Sequence, residues 1–151
     1  MSYDARSSQL NAYRETRVRT AGQGQMIVML YDEATKQLDE AVSLLDQETR
    51  KLDSVHNAIV KSQECITELT VGLDLEKGGQ LAQTLFELYR YFHSELTDAN
   101  MQKDPGRLRA VRRMLSELRS AWAQIASTHG PQSEEERQRD PASGGGVNFA
   151  G

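Results

Sequence analysis

The side chains most open to catalysis or metal binding in this chain are three histidines, His56, His93 and His129, and a single cysteine, Cys65. A di-metal site in a helical protein needs inward-facing carboxylates and a glutamate three residues before a histidine on two helices. Asp53, Arg90 and Ala126 stand at those places here. The spacing therefore predicts no metal site, and the histidines read as solvated or capping residues. Cys65 has no histidine three or four residues away to take its proton, so it reads as a small buried or half-buried side chain and not as a nucleophile. Gly78-Gly79 lacks the Lys-Ser/Thr ending of a phosphate loop and follows no strand pattern, which fits a helix connection. Glu134 to Glu136 lie in a tail rich in charge, Gly and Pro and read as solvated. No cofactor, no metal and no enzymatic activity are expected.

The elements that position the remaining residues are helical. Ile27, Leu30, Ala34, Leu38, Ala41 and Leu45 recur at three- and four-residue steps, the spacing that lays one apolar stripe along an α-helix. The same spacing returns in Leu52, Val55, Ile59, Ile66, Leu69 and Leu73, with Ser62 filling the missing step. It appears twice more, as Leu81, Leu85, Leu88, Phe92, Leu96 and Ala99, and as Leu108, Val111, Leu115, Leu118, Trp122 and Ile125. Thr20 with Gln23 fits a capping box before the first helix, and Asp104-Pro105 fits an N-cap followed by proline in the first turn of the fourth. The short stretches near Gln47 and Met101 leave room only for tight links between antiparallel neighbours. The expected fold is all-α, an antiparallel up-down four-helix bundle over residues 20–128. Residues 1–19, with Leu10, Tyr13 and Val18 among polar neighbours, are expected to form a short N-terminal arm or helix that docks. Residues 129–151 bury too little apolar surface to order themselves and are expected to be disordered.

Composition narrows the function. The chain has 151 residues, a formal net charge of −4 and 38% hydrophobic residues, enough for one packed core. It has no basic field to gather nucleic acid and no polybasic run for a membrane surface. The longest run of large apolar residues, Met26 to Tyr31, stops at Asp32, so no membrane insertion is expected. One cysteine makes no internal disulfide, and the first residues hold no apolar stretch of the secretory kind, so a cytoplasmic setting is expected.

Apolar residues off the stripes point to a protein partner. On helical geometry Val60 and Val71 share a direction well away from the helix-two stripe, with Thr67 between them. Phe86, beside Ala82 and Tyr89, flanks the helix-three stripe, and Ala110, Met114 and Ala121 run along one flank of helix four. The six consecutive residues Met26 to Tyr31 wrap more than a full turn, so Val28 and Met29 in particular need cover, either from the N-terminal arm or from a partner segment. The candidate binding residues are therefore Tyr13, Val18, Val28, Met29, Tyr31, Val60, Thr67, Val71, Phe86, Ala110, Met114 and Ala121.

The string from Ala12 to Ala41, with Thr20-Ala21 before the first long helix and Met29-Leu30-Tyr31-Asp32 within it, resembles the opening of the FliS family of flagellar export chaperones. The block from Leu69 to Asn100, with its Leu-Asp, Gly-Gly and Leu-Tyr stretches, and Leu118 to Trp122 resemble the family in the same order. The resemblance implies a cytoplasmic chaperone that binds the disordered C-terminal segment of flagellin, prevents premature polymerisation and assists delivery to the export gate. It also implies that Tyr13 and its surroundings lie near the flagellin site. The competing expectation is a generic helical adaptor or homodimer with no chaperone role, which a tight dimer burying Val60 and Met114 favours, whereas a monomer or weak homodimer leaves the grooves for a client.

Overall fold

In a computed structural model of the chain, the backbone is described for residues 2–48 and 50–128, and side chains for residues 22–48 and 50–128. Four helices account for nearly all of it: α1 (Ser2–Asp46), α2 (Leu52–Val71), α3 (Gly79–Gln102) and α4 (Pro105–Thr128). Residues 129–151, read from the sequence as a disordered tail, lie outside the described residues. No described helix is long and apolar enough to cross a membrane.

Local chemistry sets the helix ends. Gly22 interrupts α1 at φ 76° and ψ 168°, a backbone region open essentially to glycine alone. The helix runs through Thr20, so the capping box expected at Thr20-Gln23 does not start it; the break comes two residues later, at Gly22. Asp104 caps α4 as the sequence implies. Its Oδ1 accepts from Gly106 N at 2.9 Å and its carbonyl from Leu108 N at 3.4 Å, and Pro105 has no N–H to leave unpaired. Between α2 and α3, Asp74 Oδ1 accepts from the N–H groups of Glu76 and Lys77 and its carbonyl from Gly78 N at 2.7 Å, which closes a tight turn.

The chain divides into two compact units, and the boundary falls inside α1 and α4. The described part of the first unit is residues 2–29 and 121–128. There Gly24 lies so close to α4 that an added Cβ would meet Ala126 Cβ at 3.3 Å. Met26 to Met29 are all half-buried, as a run that wraps the helix requires.

The second unit holds residues 30–120 and parts of all four helices, and it contains the core of the bundle. Tyr31, Ala34, Leu38 and Ala41 of α1 are fully buried, as are Val55, Ile59 and Ile66 of α2, Phe92, Leu96 and Ala99 of α3, and Leu108 and Leu115 of α4. Ser62 fills its step in the α2 stripe, fully buried, and its Oγ donates to the Ala34 carbonyl at 3.0 Å. Antiparallel pairing is marked by an ion-pair ladder in which Asp32, Asp39 and Asp46 of α1 accept from Arg119, Arg112 and Arg109 of α4. Between α2 and α3, His56 meets Asn100, while Gln63 meets Thr97 and the His93 carbonyl.

The α3 stripe differs from the sequence expectation in two places. Leu81 is 54% exposed and Leu88 half-buried, while Ala82 and Tyr89 are buried. The core takes positions 82, 85, 89, 92, 96 and 99, an unbroken three-four alternation that follows one helix face more closely than the Leu81-Leu85-Leu88 reading. Tyr89 joins the core because its hydroxyl finds a partner in Tyr31 Oη at 2.5 Å, which offsets the cost of burying a polar group.

Candidate protein-binding surface

A groove of about 640 Å³ runs along the second unit between α2 and α3, lined by Leu52, His56, Val60, Gln63, Thr97, Asn100, Met101 and Lys103. Val60 is half-buried in it, whereas Leu52 and Met101 are 46% and 79% exposed. Polar side chains stitch the two helices along this line. Gln63 Nε2 donates to the His93 carbonyl at 3.2 Å and to Thr97 Oγ1 at 3.1 Å. The Thr67 hydroxyl donates to the Gln63 carbonyl at 3.0 Å. Having spent its one proton there, it receives at 3.2 Å from Nε2 of His93, which must carry a hydrogen. Lys103 Nζ donates to Asn100 Oδ1, which turns the Asn100 amide nitrogen to His56 Nδ1 at 2.9 Å as donor. With their polar groups paired in this way, the outward apolar side chains are what the face offers to a partner.

At the opposite end of the same helix pair, Val71 is 72% exposed, with Leu75 and Leu81 also on the surface. Phe86 of α3 is half-buried, and the Arg90 guanidinium carbon stands 6.0 Å from its ring centroid, within reach of a cation–π contact. Ala110 of α4 is exposed and Met114 half-buried.

The sequence-derived candidates therefore separate. Val60, Thr67 and Val71 lie on α2, where Val60 lines the groove, Thr67 is exposed and hydrogen-bonded, and Val71 is exposed. Phe86, Ala110 and Met114 fall on α3 and α4 of the same unit. Val28 and Met29, half-buried, and Ala121, exposed, belong to the first unit. The side chains of Tyr13 and Val18 lie outside the described residues. Tyr31 is corrected: it is fully buried, with its hydroxyl on Tyr89, so its ring belongs to the core and offers no outer surface. Sequence reasoning missed Leu52, Leu75, Leu81, Tyr91, Met101 and Ile125 as exposed apolar residues, and Ile125, expected in the α4 stripe, is corrected to the surface, with its neighbour Ala126 buried instead. Leu52 and Leu81 were absorbed into the core stripes; the stricter three-four alternation separates Leu81, whereas Leu52 keeps the step of its stripe and is exposed as the first residue of α2.

The titratable groups near this face are tuned away from chemistry. Burial, with Glu33, Glu64 and Glu68 adding repulsion, pushes the Cys65 thiol up to about 12, so it stays protonated and unreactive. Burial lowers the His93 imidazole below its ordinary range. Among the described residues no three His, Cys, Asp or Glu side chains gather to hold a metal ion.

Comparison with known proteins gives these features a family. The family model for the flagellar protein FliS matches residues 6–129. The flagellar secretion chaperone FliS of Salmonella typhimurium is 36% identical over 113 residues, covering 74% of this chain and 82% of the relative. The flagellar secretion chaperone FliSB of Pseudomonas aeruginosa is 30% identical over 112 residues, 74% of this chain and 87% of the relative. FliS of Bacillus subtilis is 27% identical over 113 residues, 75% of this chain and 82% of the relative. With most of its length matched, and matched in order, the chain belongs to the FliS family of flagellar proteins.

Proposed function

We propose that this protein is a cytoplasmic flagellar export chaperone whose client is the C-terminal segment of flagellin, which it keeps from polymerising early and helps deliver to a component of the export gate. The observation that carries this reading is the outer face of a bundle whose core is already filled. Met101 stays largely exposed there on a groove whose polar groups are already paired, and Val71 stays largely exposed at the opposite end of the same helix pair. A terminal segment of a filament subunit is amphipathic, and helices laid into such grooves mask it. Ordering it costs about 2–5 kcal/mol or more, which takes a wrap-around interface of about 1,000–3,000 Å² to offset. The contact residues assigned on the second unit are Val60, Thr67, Val71, Phe86, Ala110 and Met114. Those assigned on the first unit are Val28, Met29 and Ala121, with Tyr13 and Val18 of the arm.

The arm takes a regulatory part in this proposal. Tyr13 and Val18 cover the apolar turn that begins at Met26 in the free protein and are rearranged by the client. Deleting residues 1–19 then alters flagellin affinity; unchanged affinity with an intact bundle removes the arm from the mechanism.

The deciding experiment is size-exclusion co-elution with calorimetry, using the full chain and the C-terminal segment of flagellin from the same organism. A 1:1 complex with a gain in helix is the expected result. No binding by a folded bundle to a soluble segment overturns the flagellin assignment and leaves the fold standing.

A further inference from the structure

Donors and acceptors do not balance along the α2–α3 groove. At the end marked by Leu52 and Met101, Lys103 Nζ donates to Asn100 Oδ1, and Asn100 Nδ2 donates to His56 Nδ1 at 2.9 Å. Both side-chain acceptors there are engaged, and what remains is donors. The Lys103 ammonium keeps two further hydrogens, the Asn100 amide keeps one, and a neutral His56 whose Nδ1 accepts carries its hydrogen on Nε2. Two turns along α2 the balance reverses, since Gln63 spends its Nε2 on the His93 carbonyl and Thr97 Oγ1 and keeps Oε1 as an acceptor.

The same end holds an unneutralised charge. Lys103 is the one formally charged residue on the groove lining, and the bond it makes among the described residues is to a neutral amide. Glu95, Asp98 and Asp104 turn instead to Arg107 of α4. Arg90 stands over the Phe86 ring, and Glu87 lies about four turns from Lys103 along α3. Asp53, Lys61, Glu64 and Glu68 of α2 are not among the lining residues. Lys103 also ends α3 in the left-handed conformation, at φ 51°, a place where glycine is usual. The chain accepts strain there that a glycine would not carry, and it gains an ammonium fixed at the mouth of the groove.

We infer that this end of the groove anchors a carboxylate: the client segment lies there as a helix whose apolar side chains cover Leu52, Val60 and Met101, and whose Asp or Glu side chain accepts from Lys103 and His56. The inference rests on the flagellin assignment above and makes Lys103 a determinant of which client sequence fits. A neutral carbonyl satisfies a donor but leaves the charge uncompensated. A free small anion compensates the charge but leaves the apolar flank in water. A carboxylate carried on an apolar helix does both, and it fixes the register of the client against α2 and α3.

Calorimetry of the full chain with the C-terminal segment of flagellin from the same organism tests this, with substitutions on both sides. Lys103→Gln should weaken binding about threefold to tenfold and flatten its dependence on salt. Lys103→Glu should weaken it about tenfold or more, whereas Lys103→Arg, which keeps the charge, should bind close to wild type. Circular dichroism checks that each variant keeps its fold. On the segment, each Asp and Glu is changed in turn to its amide. One such change should weaken binding to the wild type and leave binding to Lys103→Gln unaltered, while amidation of the segment's terminal carboxyl should have no effect. A wild type that binds the segment equally well after Lys103→Glu overturns the inference alone, as does coupling of Lys103 to the terminal carboxyl or to no carboxyl of the segment. A folded wild type that does not bind the segment overturns the flagellin assignment and the inference with it.

Discussion

Tyr31 of α1 and Tyr89 of α3 meet hydroxyl to hydroxyl at 2.5 Å, with both side chains buried. Phe92 lies beside Tyr89 at a ring-centroid distance of 6.4 Å, so the oxygens share a bond within an aromatic layer of the core. Tyr31→Phe removes the partner seen for the Tyr89 hydroxyl. Leaving a buried donor unsatisfied costs about 1–3 kcal/mol, and denaturant unfolding should show a loss in that range. The double variant Tyr31→Phe/Tyr89→Phe should lose less than the two single losses combined, since it leaves neither oxygen stranded. Strict additivity in that cycle would show that the two hydroxyls are not coupled.

Gly78 and Gly79 are adjacent, yet they should respond differently to substitution. A Cβ on Gly78 would stand 2.6 Å from both Ala82 Cβ and the Asp74 carbonyl oxygen, which the Gly78 N–H itself binds. Gly78→Ala therefore forces the turn apart, with an expected loss of about 1–3 kcal/mol. Gly79 has φ 57° and nothing within 4 Å of an added Cβ. Asparagine tolerates that left-handed conformation, so Gly79→Asn should cost about 1 kcal/mol or less. Thermal unfolding of the pair checks the order, and equal losses would refute the steric account.

Much of the bundle was legible in the sequence, because burial in a helical core repeats at a period that residue types record. Ser62 shows how far that went: a polar residue sat in an apolar stripe, and the spacing alone placed it in the core, where its Oγ reaches Ala34. Asp104-Pro105 likewise announced the start of α4. The failures came where two registers fit equally well. Leu81 and Ala82 compete for one core position, as do Leu88 and Tyr89, and hydrophobicity favours the leucines in both cases. Packing chose the smaller residue beside Gly78 and the tyrosine with a partner across the core, two facts that a one-dimensional pattern does not contain. The same ambiguity placed Tyr31 among the surface candidates, since a run such as Met26 to Tyr31 does not reveal which of its members faces inward.

His93 should make stability depend on acid. Its imidazole is lowered by burial, and the residues shown facing it from α2 are the uncharged Thr67 and Gln63. A histidine with a depressed folded value binds its proton more readily when unfolded, so its contribution is present above the unfolded range near 6.5 and is lost as pH falls through the folded value. Unfolding free energy should therefore drop faster below about pH 6.5 in the wild type than in His93→Gln, whose side chain does not titrate. Parallel pH profiles for the two proteins would remove His93 as the source.

The Asp–Arg ladder between α1 and α4 should matter more for register than for stability. Arg112 reaches Asp39 with Nε at 2.9 Å and Nη2 at 3.3 Å, and Arg119 reaches Asp32 in the same forked way at 2.8 and 3.4 Å. These side chains remain 41–55% exposed, where an ion pair gives only about 0.2–1 kcal/mol and salt screens it. Arg112→Ala should lower stability by no more than about 1 kcal/mol in dilute buffer and by less in concentrated salt. A loss that stays large in concentrated salt would mean that Arg112 acts through packing of its stem. Heptad spacing gives the pairs a second consequence. The three aspartates recur every seven residues, and exposed Lys36 stands between Asp32 and Asp39. A one-turn slip of α4 along α1 carries an arginine from an aspartate toward that lysine, exchanging attraction for repulsion. Asp39→Lys, which supplies a like charge in the native register, should therefore destabilise more than Asp39→Ala at low salt, with the gap closing as salt rises. Equal effects at low salt would show that the ladder does not discriminate between registers.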